Sequence, residues 1–135
     1  MPTDTAKRLP VRDTVNMKVA LVAVQTIRTP QPCYRVIFRI NLHNTGNLSV
    51  RLMGRKWTMR DTSGQTKIVE AAQLFNNEPI LTPGAVFSFS GQQEFSRPPR
   101  RMVLRLFGKD QAGRPFITPP LRLPLTPQEA DAVQE

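Results

Sequence analysis

The side chains in this sequence that are best suited to chemistry are its arginines. Arginine supplies 14 of the 19 Lys and Arg residues, and its planar guanidinium binds a carboxylate or a phosphate through two parallel hydrogen bonds. Arg35 and Arg39 share one face of a predicted strand, because side chains alternate along a strand. We predict a partner-binding face made of Arg35, Arg39, Arg55, Lys56, Arg101 and Arg105. Four further arginines could extend this positive surface: Arg51, Arg60, Arg97 and Arg100.

Residues for catalysis or metal binding are scarce. Cys33 is the only cysteine and His43 the only histidine, so the chain can form neither an internal disulfide nor a Cys/His zinc site. The sequence contains no Gly-x-Ser-x-Gly elbow, Walker loop or His-Glu-x-x-His motif. We therefore expect no catalytic, cofactor-binding or metal-binding residues, and no enzyme activity.

The net charge of +9 is unevenly distributed along the chain. Residues 17–124 hold 16 Lys and Arg against 5 Asp and Glu, a net charge of +11, whereas residues 125–135 carry −3. Residues 1–16 lack sustained periodicity and are predicted to be a flexible arm. The acidic tail, 125–135, contains a capping-box pattern at Thr126 to Glu129 that predicts a short helix.

No stretch of the sequence resembles a signal peptide or a membrane span, because charges and prolines interrupt every apolar run. We therefore expect a cytoplasmic protein that does not associate with membranes.

Short segments with β-strand patterns are spaced almost regularly along residues 17–124. The positions of the inward-facing apolar residues shift from even to odd near Gly54, which predicts a bulge. Pro119 and Pro120 confine the last strand to a sheet edge. The predicted strands cover residues 17–27, 33–43, 48–60, 67–71, 85–90, 101–107 and 114–123. About seven strands, turn residues between them and no long helical pattern predict an all-β fold. The specific expectation is an antiparallel immunoglobulin-like or fibronectin-type-III-like β-sandwich.

The aromatic residues fit a core better than a binding surface. Trp57 lies on an inward phase, as does the buried tryptophan of immunoglobulin-like sandwiches. Tyr34 and Phe38 lie on the strand face opposite Arg35 and Arg39. We therefore expect the basic face to lack aromatics that could stack on nucleic-acid bases.

Several segments, in order, resemble one bacterial domain family. They are residues 34–46, ending in the turn Asn44-Thr45-Gly46; residues 50–64, with Trp57 and Asp61; Glu78 to Gly84; Phe87 to Gly91; and residues 113–116 with 121–123. Together they resemble the ApaG (DUF525) family across about residues 17–123. The resemblance implies an immunoglobulin-like sandwich, and a role in partner recognition, since the domain also occurs in adaptor-type proteins such as F-box proteins.

The sequence departs from this family where a glycine-rich loop is usual. The corresponding positions hold Ala71, Gln73 and Asn76. A glycine loop binds phosphate because its backbone N–H groups can converge without interference from Cβ atoms. We therefore expect no phosphate or nucleotide site at this loop.

Two functions follow from the sequence. The first is a non-catalytic ApaG-like binding module, whose arginine-rich sheet face contacts a protein partner with an acidic surface. The second is a protein that binds phosphate, nucleic acid or another polyanion, for which a steep salt dependence is typical. A homodimer remains an open alternative, and turnover of a nucleotide ranks last.

Overall fold

The computed structural model describes residues 15–30, 33–71 and 78–125, which form two antiparallel β-sheets. The strands are β1 (Met17–Arg28), β2 (Tyr34–Asn44), β3 (Val50–Asp61), β4 (Thr66–Ala71), β5 (Ile80–Leu81), β6 (Val86–Phe95), β7 (Pro99–Asp110), β8 (Pro115–Ile117) and β9 (Leu121–Arg122). The smaller sheet has the order β1-β2-β6. The larger sheet has the order β4-β3-β7-β8, with β5 paired to β3 and β9 paired to β7. These three ranges contain no helix that is long and apolar enough to cross a membrane.

A shared hydrophobic core lies between the two sheets and makes the fold a sandwich, as predicted. Alternation along β2 and β7 directs every second side chain inward, and both strands contribute to one cluster of buried residues. Trp57 of β3 is fully buried, and its ring centroid lies 4.9 Å from that of Phe38 on β2. The prediction that Trp57 belongs to the core is confirmed.

The described residues form nine strands rather than the predicted seven or so. The two extra strands are short: β5 has two residues, and the final predicted strand is divided into β8 and β9 by Pro119 and Pro120. Strand β6 also continues past the predicted end at Ser90 to Phe95, because it pairs with β2 as far as Tyr34. Pairing with a neighbouring strand thus overrides the weak strand propensity of Gly91 and Gln92.

The predicted bulge near Gly54 is confirmed by a register shift between Leu52 and Gly54 where β3 pairs with β7. Strands β3 and β7 approach each other closely here, because a Cβ atom on Gly108 of β7 would lie only 1.9 Å from the carbonyl oxygen of Arg51 on β3. One on Gly54 would lie 2.3 Å from the Phe107 ring. The bulge changes which residues of β3 face outward, and so determines the composition of the surface described below.

Three predicted features lie outside the described residues. They are the N-terminal arm up to residue 14, loop positions Gln73 and Asn76, and the C-terminal helix from Thr126 onward.

Candidate functional site

The outer face of the larger sheet carries six cationic side chains in three directly opposed pairs. Residues opposite each other in an antiparallel pair project to the same side of the sheet. Since Trp57 and Leu104 are opposed and both buried, their neighbours on each strand face outward. Three of the outward-facing pairs are cationic and are here called the basic ladder. Its first rung is Arg51 with Lys109, its second rung is Lys56 with Arg105, and its third rung is Arg60 with Arg101.

Neutral rows separate the rungs. Gly54 is opposite Phe107 between the first two rungs, and Thr58 is opposite Val103 between the second and third. Along β7 the rungs lie four residues apart, a distance of about 13 Å at the rise of a strand. The ladder is thus a sparse series of paired charges.

Few carboxylates neutralise the ladder. The described residues include five acidic side chains, and their contacts are Glu94 with Arg35 at 2.9 Å, Asp110 with Arg114 at 3.0 Å, Glu78 with Arg51 at 3.5 Å, Glu70 with Lys56 at 4.0 Å, and Asp61 with Ser63. Within the described ranges, Arg60, Arg101, Arg105 and Lys109 therefore have no ion-pair partner. All four are exposed, as is Arg51, so the surface is strongly positive.

Two of the acidic side chains are held in turns as anions. The hydrogen bond from the Ser63 hydroxyl has the largest effect on Asp61 and lowers its pKa. The Ser63 backbone N–H and the charge of Arg97 lower this pKa further, and together these effects outweigh burial, which would raise it. Burial alone would raise the pKa of Asp110. Hydrogen bonds from the backbone N–H groups of Arg114 and Ala112, and from the Arg114 guanidinium, outweigh this and lower it. Both carboxylates therefore stabilise local turns, and neither forms an ion pair with a ladder cation in the described ranges.

The structure divides the predicted partner-binding set between surfaces. Lys56, Arg101 and Arg105 lie together on the basic ladder. Arg35 and Arg39 lie on β2, on the outer face of the smaller sheet, where Arg39 contacts Ser90 and Arg35 contacts Glu94. The expectation of one arginine-rich face is therefore wrong for these two residues, because β2 and β3 belong to opposite sheets of the sandwich.

Arg55 is also separated from the ladder. Its cross-strand partner is the buried Leu106, so it shares the inward phase of Trp57 and is half-buried. The bulge before Gly54 sets this phase, because an extra residue in one strand exchanges the inward and outward positions that follow.

Sequence reasoning missed two neighbouring cations. Lys109 completes the first rung, and Arg122 of β9 is opposite Val103 and so projects outward beside the ladder. Lys109 follows Arg101 and Arg105 at four-residue intervals, and this spacing was the signal that could have identified it. Arg122 could not be identified in this way, because the pairing of β9 with β7 spans a turn and two prolines.

An aromatic side chain also lies within the ladder, contrary to the expectation that the basic face lacks one. Phe107 is on the outward phase between Arg105 and Lys109 and is half-buried. Its ring occupies the space that a Cβ atom on Gly54 would fill. The predicted positions of Tyr34 and Phe38, opposite Arg35 and Arg39, are confirmed by the register of β2.

Each end of the ladder opens onto a concave surface. A cavity of about 450 Å³, here called the end cavity, adjoins the first rung and is lined by Arg51, Lys109, Met53, Ile80 and Glu78, among others. Ile80 is 59% exposed. A smaller depression of about 230 Å³ lies at the third rung, between Arg60, Arg101 and Thr66.

No group of three or more His, Cys, Asp or Glu side chains in the described residues is placed to hold a metal ion. Cys33 is half-buried, with its Sγ 3.9 Å from the carbonyl oxygen of Tyr34. Positive charge is therefore the main chemical feature of the surface that the structure describes.

Comparison with known proteins gives consistent results. A family model of the ApaG domain (DUF525) matches residues 25–103. Protein ApaG of Methylococcus capsulatus is 27% identical over 113 residues, covering 80% of this chain and 88% of that protein. Protein ApaG of Acidovorax sp. is 27% identical over 86 residues, covering 64% of this chain and 63% of that protein. A Bordetella pertussis structure that carries the name ApaA aligns with a TM-score of 0.68 and 17% identity, over 82% of this chain and 93% of that one, and so has the same fold.

Proposed function

We propose that this chain, which belongs to the ApaG domain family, is a non-catalytic binding module whose basic ladder docks an acidic surface of a protein partner. The observation that carries the proposal is the set of three like-charged rungs on one outer sheet face. Like charges directly opposite each other destabilise a sheet, whereas opposite charges stabilise it by about 0.2–1 kcal/mol. An anionic group lying between the two cations of a rung reverses this repulsion, so a bound acidic partner would stabilise the sheet.

Arginine suits a protein interface as well as a charge pair. Its guanidinium is weakly hydrated and is enriched at interfaces, where it binds carboxylates bidentately. Four of the six ladder cations are exposed arginines: Arg51, Arg60, Arg101 and Arg105. Electrostatic complementarity of this kind raises the rate and specificity of association.

A second candidate function, binding of single-stranded nucleic acid or another polyanion, is favoured by one observation. Phe107 lies between two cations of the ladder, an arrangement that single-strand-binding proteins use to stack a base. We rank it second because Phe107 is half-buried against Gly54. In addition, neutral rows separate the rungs, whereas a nucleic acid presents closely spaced phosphates.

The proposal is tested by binding of poly-L-glutamate to matched charge-reversal variants. The ladder variant is Arg101→Glu with Arg105→Glu. The control is Lys18→Glu with Arg39→Glu, which makes the same change in net charge on the exposed outer face of the smaller sheet. We expect the ladder variant to bind at least about tenfold more weakly, a loss of about 1.4 kcal/mol, and the control to stay within about twofold of the unmodified protein.

Equal weakening of the two variants would overturn the proposal, since it would mean attraction to net charge without a preferred face. A parallel titration with a single-stranded oligonucleotide distinguishes the second candidate. Tighter binding of the oligonucleotide than of poly-L-glutamate, lost on Phe107→Ala, would favour nucleic acid over an acidic protein.

A further inference from the structure

The spacing of the rungs and the end cavity together describe the partner more closely than charge alone. We infer that the basic ladder binds an extended acidic segment of a protein, with acidic residues four positions apart and an apolar residue a further four positions along that enters the end cavity. This inference rests on the proposed function of the ladder and specifies the partner that it takes.

The rungs at Arg101, Arg105 and Lys109 set the spacing that a partner segment must match. An extended peptide lying along β7 has the same rise per residue as the strand and the same two-residue alternation. Its residues i, i+4 and i+8 therefore project to one side at intervals of about 13 Å, in step with the three rungs. Residues i+2 and i+6 face the rows between the rungs, which carry no charge on β3 and β7, although Arg122 of β9 lies beside Val103 in one of them.

A helical partner does not fit this spacing. An α-helix rises about 1.5 Å and turns about 100° per residue, so the residue about 13 Å along is i+9, which faces the opposite side of the helix. A straight helix consequently cannot direct two acidic side chains at successive rungs with equal geometry. The extended form follows from the even intervals of the ladder.

The end cavity favours an apolar residue at one end of the bound segment. Its volume of about 450 Å³ falls within the usual range of ligand pockets, about 300–1,000 Å³. Met53 and the exposed Ile80 supply apolar surface. The first rung is partly neutralised, because Glu78 lies 3.5 Å from Arg51, a closer ion pair than the 4.0 Å contact of Glu70 with Lys56 in the second rung. An apolar side chain is therefore better matched to this position than a third carboxylate.

Cations without an ion-pair partner, together with the position of the end cavity at the first rung, determine where the two acidic residues bind. In the third rung, Arg60 and Arg101 have no ion-pair partner in the described ranges, and in the second rung Arg105 has none. Two carboxylates at i and i+4 would each meet one of these rungs. Thr58 and Val103 lie between them and would contact a small neutral residue at i+2.

Four synthetic peptides test the inference by fluorescence anisotropy at an ionic strength of about 0.15 M, where weak long-range attraction is screened. Two carry Glu at i and i+4 and Leu at i+8, one in this order and one reversed, with Ser and Thr elsewhere. The third has the same composition with the two Glu residues adjacent, and the fourth replaces Leu with Ser. We expect one of the first two to bind at least tenfold more tightly than the third and about fivefold more tightly than the fourth.

Variants of the protein then locate the apolar residue. Ile80→Ser should weaken binding of the Leu peptide about fivefold and leave binding of the Ser peptide unchanged. Val86→Ser, at an equally exposed residue on the smaller sheet, should affect neither. If Ile80→Ser weakens both peptides alike, the end cavity does not hold the Leu side chain and that part of the inference is wrong.

The outcomes separate this inference from the proposed function. Equal affinity for spaced and adjacent Glu, with both lost in the ladder variant, would leave the ladder as an acidic-partner site and overturn the extended, spaced segment. Failure of every peptide and of poly-L-glutamate to bind would overturn both. Preference for an oligonucleotide over all four peptides would likewise overturn the inference.

Discussion

At the scale of single residues, the side chain of Asn44 connects three parts of the sandwich. It is fully buried at the end of β2. Its Nδ2 donates to the carbonyl oxygens of Leu48, at 2.9 Å, and Leu81, at 3.0 Å, while its Oδ1 accepts from the backbone N–H of Gly46. The amide thus joins β2, the following turn and β5. The residue types predict the turn but not the burial of this polar side chain.

We predict that Asn44→Ala lowers the free energy of unfolding by about 3 kcal/mol, because two carbonyls and one N–H lose their buried partner. Urea denaturation measures the change. Thr45→Ala is a suitable control, since among the described residues the exposed Thr45 hydroxyl makes one hydrogen bond, to the carbonyl oxygen of Asn16, and its loss should cost less than about 1 kcal/mol. Similar losses in the two variants would contradict a linking role for Asn44.

At the scale of elements, the β3–β7 ribbon combines a core-facing side with a charged outer side. Trp57, Leu104 and Leu106 contribute inward apolar surface, while like charges oppose each other outward. The fold therefore tolerates local repulsion because inward burial offsets it. Removing that repulsion should make the element more stable while impairing the proposed function.

We predict that Arg101→Glu increases the free energy of unfolding by up to about 1 kcal/mol at low salt, because the new carboxylate would oppose Arg60 in place of a like charge. The gain should shrink as salt screens the pair. Thermal or urea unfolding at two salt concentrations measures it.

The matched control is Arg39→Glu. Its cross-strand neighbours are Ala23 and Ser90, so reversal of its charge removes no opposed like-charge pair. An equal gain in both variants would assign the effect to the lower net charge of the molecule instead of to the rung.

At the scale of the whole molecule, both sheets share one core, and the only tryptophan lies at the contact between them. Trp57 of the larger sheet packs on Phe38 of the smaller sheet. The ring centroid of Phe38 in turn lies 6.5 Å from that of Phe89. Neither sheet can expose its inner face without disrupting this cluster. The sandwich is therefore expected to unfold as one unit.

We predict that urea unfolding followed by Trp57 fluorescence and by far-ultraviolet circular dichroism has one common midpoint, as two-state unfolding requires. Phe38→Leu should lower both midpoints by the same amount, since it weakens the contact that both sheets share. A fluorescence transition that precedes loss of the β-sheet signal would show that the sheets separate before they unfold.

Much of the fold could be predicted from local patterns. The alternation in β2, the phase change at Gly54 and the edge position imposed by Pro119 and Pro120 each depend on a few neighbouring residues, and the structure confirms them. The candidate site was harder to predict. Phase alone assigned Arg39 and Arg105 to outward positions, but gave no information about which sheet each strand joins.

By itself, the amino-acid sequence determined the all-β sandwich, the inward position of Trp57 and the excess of positive charge on residues 17–124, because alternation, turn chemistry and composition are local properties. Only the tertiary structure decided how that charge is arranged. Strand pairing set β3 beside β7 and placed β2 in the opposite sheet, and the bulge at Gly54 turned Arg55 inward. Cross-strand register is a contact between residues about 40 to 60 positions apart, so the rungs of the ladder exist only once the chain has folded.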